Sequence, residues 1–365
     1  MSVQVRWGIL GTGFAAAQFV DGLRSLKNTR VSAVASRTKA RAEEFARHFS
    51  IPATYGSYEE LISDPAVDVV YVATTNPQHR AHCLLAIEAG KAVLCEKPFA
   101  LDGAQAREIV DAARRRKVFC MEAIRPRFLP AVREMHRLVG EGAIGEPQGL
   151  YAALGHRSVV DPANRLFAPD GGGALLDIGC YPLSIAVLLF GRPVGVKSSV
   201  VRDASHVDHE WSAVLSYSGA RTATISATLR ADLSPSLVVT GSLGTIEMNG
   251  PLYWGETLTI RRHSQAATPA VYTSSDFPSR GLATRIKAIP AVRLNISRVK
   301  ALLRPLRQAA QVITYPYPGN GFTAEGAEVV ECLEQNRLES RLSPLDDSVA
   351  MMDIMDSIRR HWSVE

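Results

Sequence analysis

Apolar residues over the first 120 positions of the chain come in two alternating rhythms. Short unbroken runs at 5–10, 31–36, 67–73, 92–95 and 118–121 are too brief for helices and are rich in Val, Ile and Leu, so they read as buried strands. Between them the apolar positions recur at helical spacing: Phe19, Val20 and Leu23 after the first run, then the stretches 40–49, 79–89 and 101–116. Strands alternating with helices at this interval predict a parallel, doubly wound sheet.

Past about Glu122 the rhythm changes. A helix is expected at 129–139, then strand-like segments at 148–154, 194–202, 210–216, 222–227, 237–240, 245–248 and 258–262. Few helices separate them, which predicts an open, mostly antiparallel sheet in an α+β unit. A helix over 177–190 would cover one face, and two more helices are expected at 323–335 and 344–361. The expected division is a dinucleotide-binding domain at 1–122 and a substrate-binding and oligomerisation domain at 123–365.

At 365 residues, 46% hydrophobic and 21% charged, the chain has ample material for two cores. No apolar run reaches the length of about 18 residues that a membrane span needs. The N-terminus enters a strand without a signal-like segment, and five cysteines include no Cys-x-x-Cys pair. Buried free thiols and a cytoplasmic location are the expectation. The net charge of +5 is a local matter. Arg280, Arg285, Lys287, Arg293, Arg298, Lys300, Arg304 and Arg307 occur in a stretch without acids, so the rest of the chain is mildly acidic. Apolar residues interleave with these cations at nearly helical spacing, which predicts an amphipathic helical insertion at about 281–315. A subunit contact or an active-site lid is its first reading; contact with an acidic membrane surface is a lesser one, and nucleic acid is not expected as a partner.

Gly11-Thr12-Gly13-Phe14-Ala15-Ala16 fits Gly-x-Gly-x-x-Ala between a strand and a helix. The first glycine permits the tight turn, the second lets backbone approach a pyrophosphate, and the helix N-terminus favours the anion. At the end of the second strand an NAD site places a carboxylate on the ribose, yet here stand Ser36, Arg37, Thr38 and Lys39. A hydroxyl and two cations suit a 2′-phosphate, so NADP is expected before NAD. Farther on, Asp177 and Tyr181 lie four apart on one helical face. A phenol beside a carboxylate, with Lys97 brought near by folding, makes a proton-transfer site in which the ammonium lowers the phenol pKa. The plainer alternatives are a helix N-cap for Asp177 and a core aromatic for Tyr181.

These motifs together resemble the glucose–fructose oxidoreductase / inositol dehydrogenase (Gfo/Idh/MocA) family, and within it the branch of dimeric dihydrodiol dehydrogenases and NADP-linked aldose dehydrogenases. The landmarks run through Gly8–Gly13, Ala73–His79, Glu96-Lys97-Pro98-Phe99, Met121-Glu122-Ala123, Arg127-Phe128, Asn164–Phe167, Gly171–Tyr181 and Gly319–Phe322 with Glu325. The resemblance implies a Rossmann domain joined to an open-sheet domain, with the nicotinamide between them. It also implies that Lys97 and Tyr181 form the catalytic pair beside Asp177, and that a cis bond precedes Pro98. The same resemblance puts Asn76 and His79 beside the nicotinamide ribose and counts Thr74, Glu96 and Lys97 among the cofactor-binding residues. His79 and His82 have metal-pair spacing, but no third ligand accompanies them and the family needs no metal.

The chain departs from those relatives where a Trp follows Met-Glu-Ala by two residues; here the position is Arg125. With Arg157 and Arg165 it would suit an anionic substrate if the three converge. The expected function is NADP-dependent hydride transfer at a hydroxyl or carbonyl carbon of a sugar or cyclic polyol, in a homodimer or homotetramer. A ketoreductase of a nucleotide-linked or otherwise anionic sugar is the enzyme alternative, and an NADP-binding regulator the non-enzyme one.

Overall fold

The computed structural model describes residues 4–161, 164–234, 236–263 and 310–362. Its first sheet has six parallel strands: β1 (Val5–Leu10), β2 (Thr29–Ala35), β3 (Ala53–Tyr55), β4 (Val69–Val72), β5 (Ala92–Glu96) and β6 (Cys120–Ala123), in the order β3-β2-β1-β4-β5-β6. Strands β4, β5 and β6 are buried at every residue, as expected of a sheet covered on both faces. The covering helices are α1 (Phe14–Leu23), α2 (Lys39–Phe49), α3 (Tyr58–Ile62), α4 (His79–Glu88) and α5 (Gly103–Arg116). Strand order reverses between β1 and β4, and an open α/β sheet binds its ligand at that crevice.

After α6 (Pro130–Gly140) the chain builds an eight-stranded sheet. Its strands are β7 (Pro147–Gly155), β8 (Gly195–Arg202), β9 (Asp208–Tyr217), β10 (Arg221–Thr228), β11 (Ser236–Gly241), β12 (Gly244–Asn249), β13 (Thr257–Arg262) and β14 (Gln311–Thr314). They lie in the order β14-β13-β12-β11-β7-β10-β9-β8; β7 and β10 pair in parallel and every other pair is antiparallel. Helices α6, α7 (Cys180–Phe190) and α9 (Leu345–Trp362) pack on one face. The opposite face presents Tyr151, Val214 and Thr224 to solvent.

The chain finally returns to the first domain. Helix α8 (Phe322–Glu334) lies against α1, where Asn320 Nδ2 donates to the Gln18 carbonyl at 2.7 Å and Thr323 Oγ1 to that of Gly22 at 3.1 Å. Arg127 staples the layers. Its side chain is 2% exposed, its Nη1 meets Asp347 Oδ2 at 2.5 Å, and its Nη2 donates to the Ser184 carbonyl at 3.0 Å.

Two expectations need correction. Residues 177–190 are not one α-helix, because Leu175–Gly179 wind as a π-helical turn before α7 begins. The end of the predicted insertion is not helical either, since 311–314 form edge strand β14 on β13. Val312 and Ile313 form an apolar run of only two residues, too short to register as a strand. Residues 281–309 lie outside the described residues. Among the described residues no helix is long and apolar enough to cross a membrane.

Buried beside the Arg127 staple, Glu122 accepts the Phe99 N–H at 3.0 Å. Burial pushes its carboxyl up to about 7, against the pull of Ser348 and Arg127. The folded form thus binds the proton more tightly than the unfolded chain does. Its contribution to stability is whole below the ordinary glutamate range and is lost as pH rises through 7. Urea unfolding from pH 5 to pH 8 is expected to show a falling stability, by about 3 kcal/mol for this group alone. The slope should flatten in Glu122→Gln; an unchanged slope contradicts the assignment.

Candidate active site

The crease above β1 is shaped by glycines. Gly11 has φ +103°, and a Cβ there would stand 2.4 Å from the Ala73 carbonyl oxygen. Gly13 caps α1, and no atom lies within 4 Å of where its Cβ would be. That leaves open space over helix N–H groups, the arrangement a pyrophosphate requires. Phe14 is 78% exposed at the start of the helix, followed by Ala15. A cavity of about 720 Å³ adjoins Thr12, Gly13 and Phe14 on one side and Arg41, Phe45 and His48 of α2 on the other. At the end of β2, Ser36 is buried while Arg37 and Lys39 are exposed. Arg41, in the first turn of α2 and lining this cavity, was not singled out from the sequence. The residues present fit a dinucleotide.

From Arg37 a row of side chains runs toward the domain junction. The guanidinium lies near Tyr58, the Tyr58 ring meets His82 edge-on at 4.5 Å, and His82 Nδ1 is 3.0 Å from Thr74 Oγ1. His79 is buried with Nδ1 2.8 Å from the Pro98 carbonyl and Nε2 3.2 Å from that of Thr74. Burial lowers its pKa to about 4, so the ring is neutral and donates one hydrogen bond at a time. Both nitrogens are thus turned to backbone carbonyls. Asn76 uses Nδ2 to hold the Gly171 carbonyl at 2.8 Å, which fastens the crease to the second domain.

Beyond Glu96, at the end of β5, the Lys97–Pro98 bond is cis. Lys97 Nζ donates to the Asp177 carbonyl at 2.5 Å and to Asp177 Oδ1 at 3.1 Å, and sits 5.0 Å from the centroid of the Tyr181 ring. Asp177 is not a helix cap; it stands inside the π-turn with its own N–H on the Gly173 carbonyl at 3.1 Å. Despite burial, Lys97, Arg165 and His156 hold its carboxyl below the usual aspartate range. Lys97 is raised, because Asp177 and Tyr181 outweigh its desolvation, and remains an ammonium. Tyr181 departs from the expectation of a lowered pKa. Burial raises the phenol, and Lys97 only partly offsets it. At neutral pH the ring therefore carries its proton.

Of the three arginines, two come to this centre. Arg165 Nη2 is 4.0 Å from Asp177 Oδ1. Arg125 lies with its guanidinium carbon 3.8 Å from the Phe322 centroid and 5.8 Å from that of Trp254, near Tyr181. Its Nε is buried without a hydrogen-bond partner among the described residues. Arg157 is exposed, with its backbone N–H on Asp232 Oδ1 at 2.9 Å; the neighbouring His156 is the one that faces Asp177. Beneath Arg125 lie two buried carboxyls, Glu96 and Glu325, both raised by burial and both drawn down by that cation. The Tyr71 hydroxyl donates to Glu96. Among the described residues no cluster of three metal-ligating side chains occurs.

Residues 5–124 match the oxidoreductase family with an NAD-binding Rossmann fold, and residues 132–247 match the GFO/IDH/MocA C-terminal domain. A human trans-1,2-dihydrobenzene-1,2-diol dehydrogenase is 32% identical over 361 residues, covering 98% of this chain and 96% of that protein. Among solved structures, a 3-ketoreductase from Actinomadura kijaniata in complex with NADP superposes with a TM-score of 0.77 at 23% identity, covering 98% of this chain and 97% of that one. A levoglucosan dehydrogenase in complex with NADH and levoglucosan gives 0.79 at 19% identity, covering 99% and 97%. With both halves matched in order and the glycine crease and second sheet in place, the chain belongs to the Gfo/Idh/MocA oxidoreductases, dehydrogenases built on an NAD(P)-binding Rossmann domain.

Proposed function

We propose that the protein is an NADP-dependent dehydrogenase or reductase acting at a hydroxyl or carbonyl carbon of a sugar or cyclic polyol. The observation that carries this reading is Lys97, held by Asp177 on one side and facing the Tyr181 ring on the other. The bound nicotinamide supplies the hydride acceptor or donor. Tyr181, protonated at rest, gives its hydroxyl proton to a developing alkoxide in reduction and takes it back in oxidation. The Lys97 ammonium stabilises the negative charge on either oxygen, and Asp177 orients the ammonium and accepts a substrate hydroxyl. NADP is favoured over NAD by Ser36, Arg37, Lys39 and Arg41, with no carboxylate at the end of β2.

Three cations (Lys97, Arg125, Arg165) and three carboxyls (Asp177, Glu96, Glu325) meet around the centre. Asp177 already engages two of these cations, Lys97 and Arg165, which supports a neutral polyol. The second reading, an anionic sugar, is favoured by the unpartnered Nε of Arg125. We place the domain junction near Glu122. The outer face of the second sheet, where Tyr151 and Val214 are about half exposed, supports a homodimer or homotetramer. Five buried free thiols suit the reducing cytoplasm.

The test is reduction of NADP and of NAD, each against neutral aldoses, cyclic polyols, sugar phosphates and a nucleotide-linked sugar. Turnover of a neutral polyol or aldose with NADP is expected. Activity confined to the anionic sugars overturns the neutral-substrate reading, and a preference for NAD overturns the cofactor assignment.

A further inference from the structure

The turn that carries Asp177 is gripped from below by a single strand. At its start, the Leu175 N–H points to the Asp208 carboxylate, whose Oδ2 accepts it at 2.7 Å. Gly173, two residues earlier, has φ +97°, and a Cβ there would fall 2.1 Å from Asp208 Oδ1. Glycine at 173 therefore makes room for that carboxylate. At the far end of the turn a Cβ on Gly179 would stand 2.5 Å from the Trp211 indole. Asp208 and Trp211 both belong to β9 and both are buried. The five residues between these holds wind as the π-turn, with Asp177 at their centre.

We propose that Asp208 is a positioning residue for the proton-transfer centre: its carboxylate anchors the π-turn so that Asp177 presents both its carbonyl and its Oδ1 to Lys97 Nζ. This rests on the reading of Lys97 as the active-site lysine. Both acceptors of the ammonium come from one residue, so a small tilt of the turn disturbs both together. Site geometry at this level is worth more than the energy of the single hydrogen bond that maintains it. A carboxylate suits the task because a charge-assisted bond to N–H is about twice as strong as a neutral one. Burial pushes the Asp208 carboxyl up to about 6 against the pull of the Leu175 N–H and the positive charges of Arg359 and Arg202, so it is ionised at neutral pH.

The test reads Lys97 directly and needs no substrate. The full chain is methylated with formaldehyde and dimethylamine borane, and the rate at Lys97 is followed by peptide mass spectrometry against the rate at Lys91. Lys91 is an internal standard in the first domain, where its Nζ donates to the Asp64 and Val67 carbonyls at 2.8 and 2.7 Å. In Asp208→Ala the Lys97:Lys91 ratio is expected to rise about tenfold, as for loss of a bond to a charged group. In Asp208→Asn, which keeps the shape and a neutral acceptor, the rise should be smaller. Asp208→Asn also serves alone if Asp208→Ala fails to fold. An unchanged ratio overturns the proposal, and so does an equal acceleration of both lysines, which is general loosening. Turnover plays no part in this readout, so failure of the Tyr181 assignment and failure of the Asp208 assignment are told apart.

Discussion

Tyr181→Phe should bind the reduced cofactor as the wild type does and lose turnover by about 10²–10⁴-fold, the usual worth of a positioned general acid or base. The substitution removes one oxygen from a ring that is 8% exposed and packed 5.5 Å from Tyr253. It therefore opens no cavity of consequence, and Lys97 keeps both its bonds to Asp177. What disappears is the proton. Because burial raises the phenol above its ordinary range, the wild-type ring carries its proton at neutral pH. Reduction should accordingly persist toward alkaline pH, while oxidation should gain as pH rises. Cofactor affinity by fluorescence and turnover in both directions are the measurements. Wild-type turnover in Tyr181→Phe would remove the tyrosine from the chemistry and leave Lys97 as the proton carrier to examine.

Arg127→Met should cost about 3 kcal/mol of unfolding free energy, at the low end for breaking a buried ion pair. The methionine fills most of the volume, but the Ser184 carbonyl loses its donor and Asp347 its countercharge. Asp347 is 31% exposed and regains water, which is why the loss stays at the low end. The staple crosses between a segment next to β6, helix α7 and helix α9, so its loss should also lower the cooperativity of unfolding. Chemical denaturation followed by fluorescence measures both. A change below about 1 kcal/mol, the range of exposed pairs, would mean that the pair is solvated in solution.

How much of this was legible in the sequence differs between the two halves. Strands β4 and β5 stand out because a two-face-buried parallel strand is a mostly unbroken apolar run, whereas β6 sits two residues farther along than the run at 118–121 and takes in the buried Glu122. Strand β3 does not stand out, because its three residues Ala53, Thr54 and Tyr55 are all half-buried and carry almost no pattern. The glycines at 11 and 13 and the meeting of Lys97 with Asp177 were readable through motifs. The π-turn was not: the side chains against its two ends, Asp208 and Trp211, lie about thirty positions farther along the chain. Arg125 shows the limit most sharply. Its type and position were evident, yet the buried carboxyls of Glu96 and Glu325 near it are far apart in the chain and only folding brings them together.

The return of α8 to α1 has a cost during synthesis. The end of α1 with Gly22 and Leu23 packs against α8, where a Cβ on Gly326 would stand 2.6 Å from Leu23, and the Thr323–Gly22 hydrogen bond spans 301 residues. At roughly 5–20 residues per second, that end waits roughly 15–60 s on the ribosome for the helix that covers it. The first domain is thus a nascent intermediate with an uncovered apolar stripe, and it is at this stage that the chain most needs shielding from its neighbours.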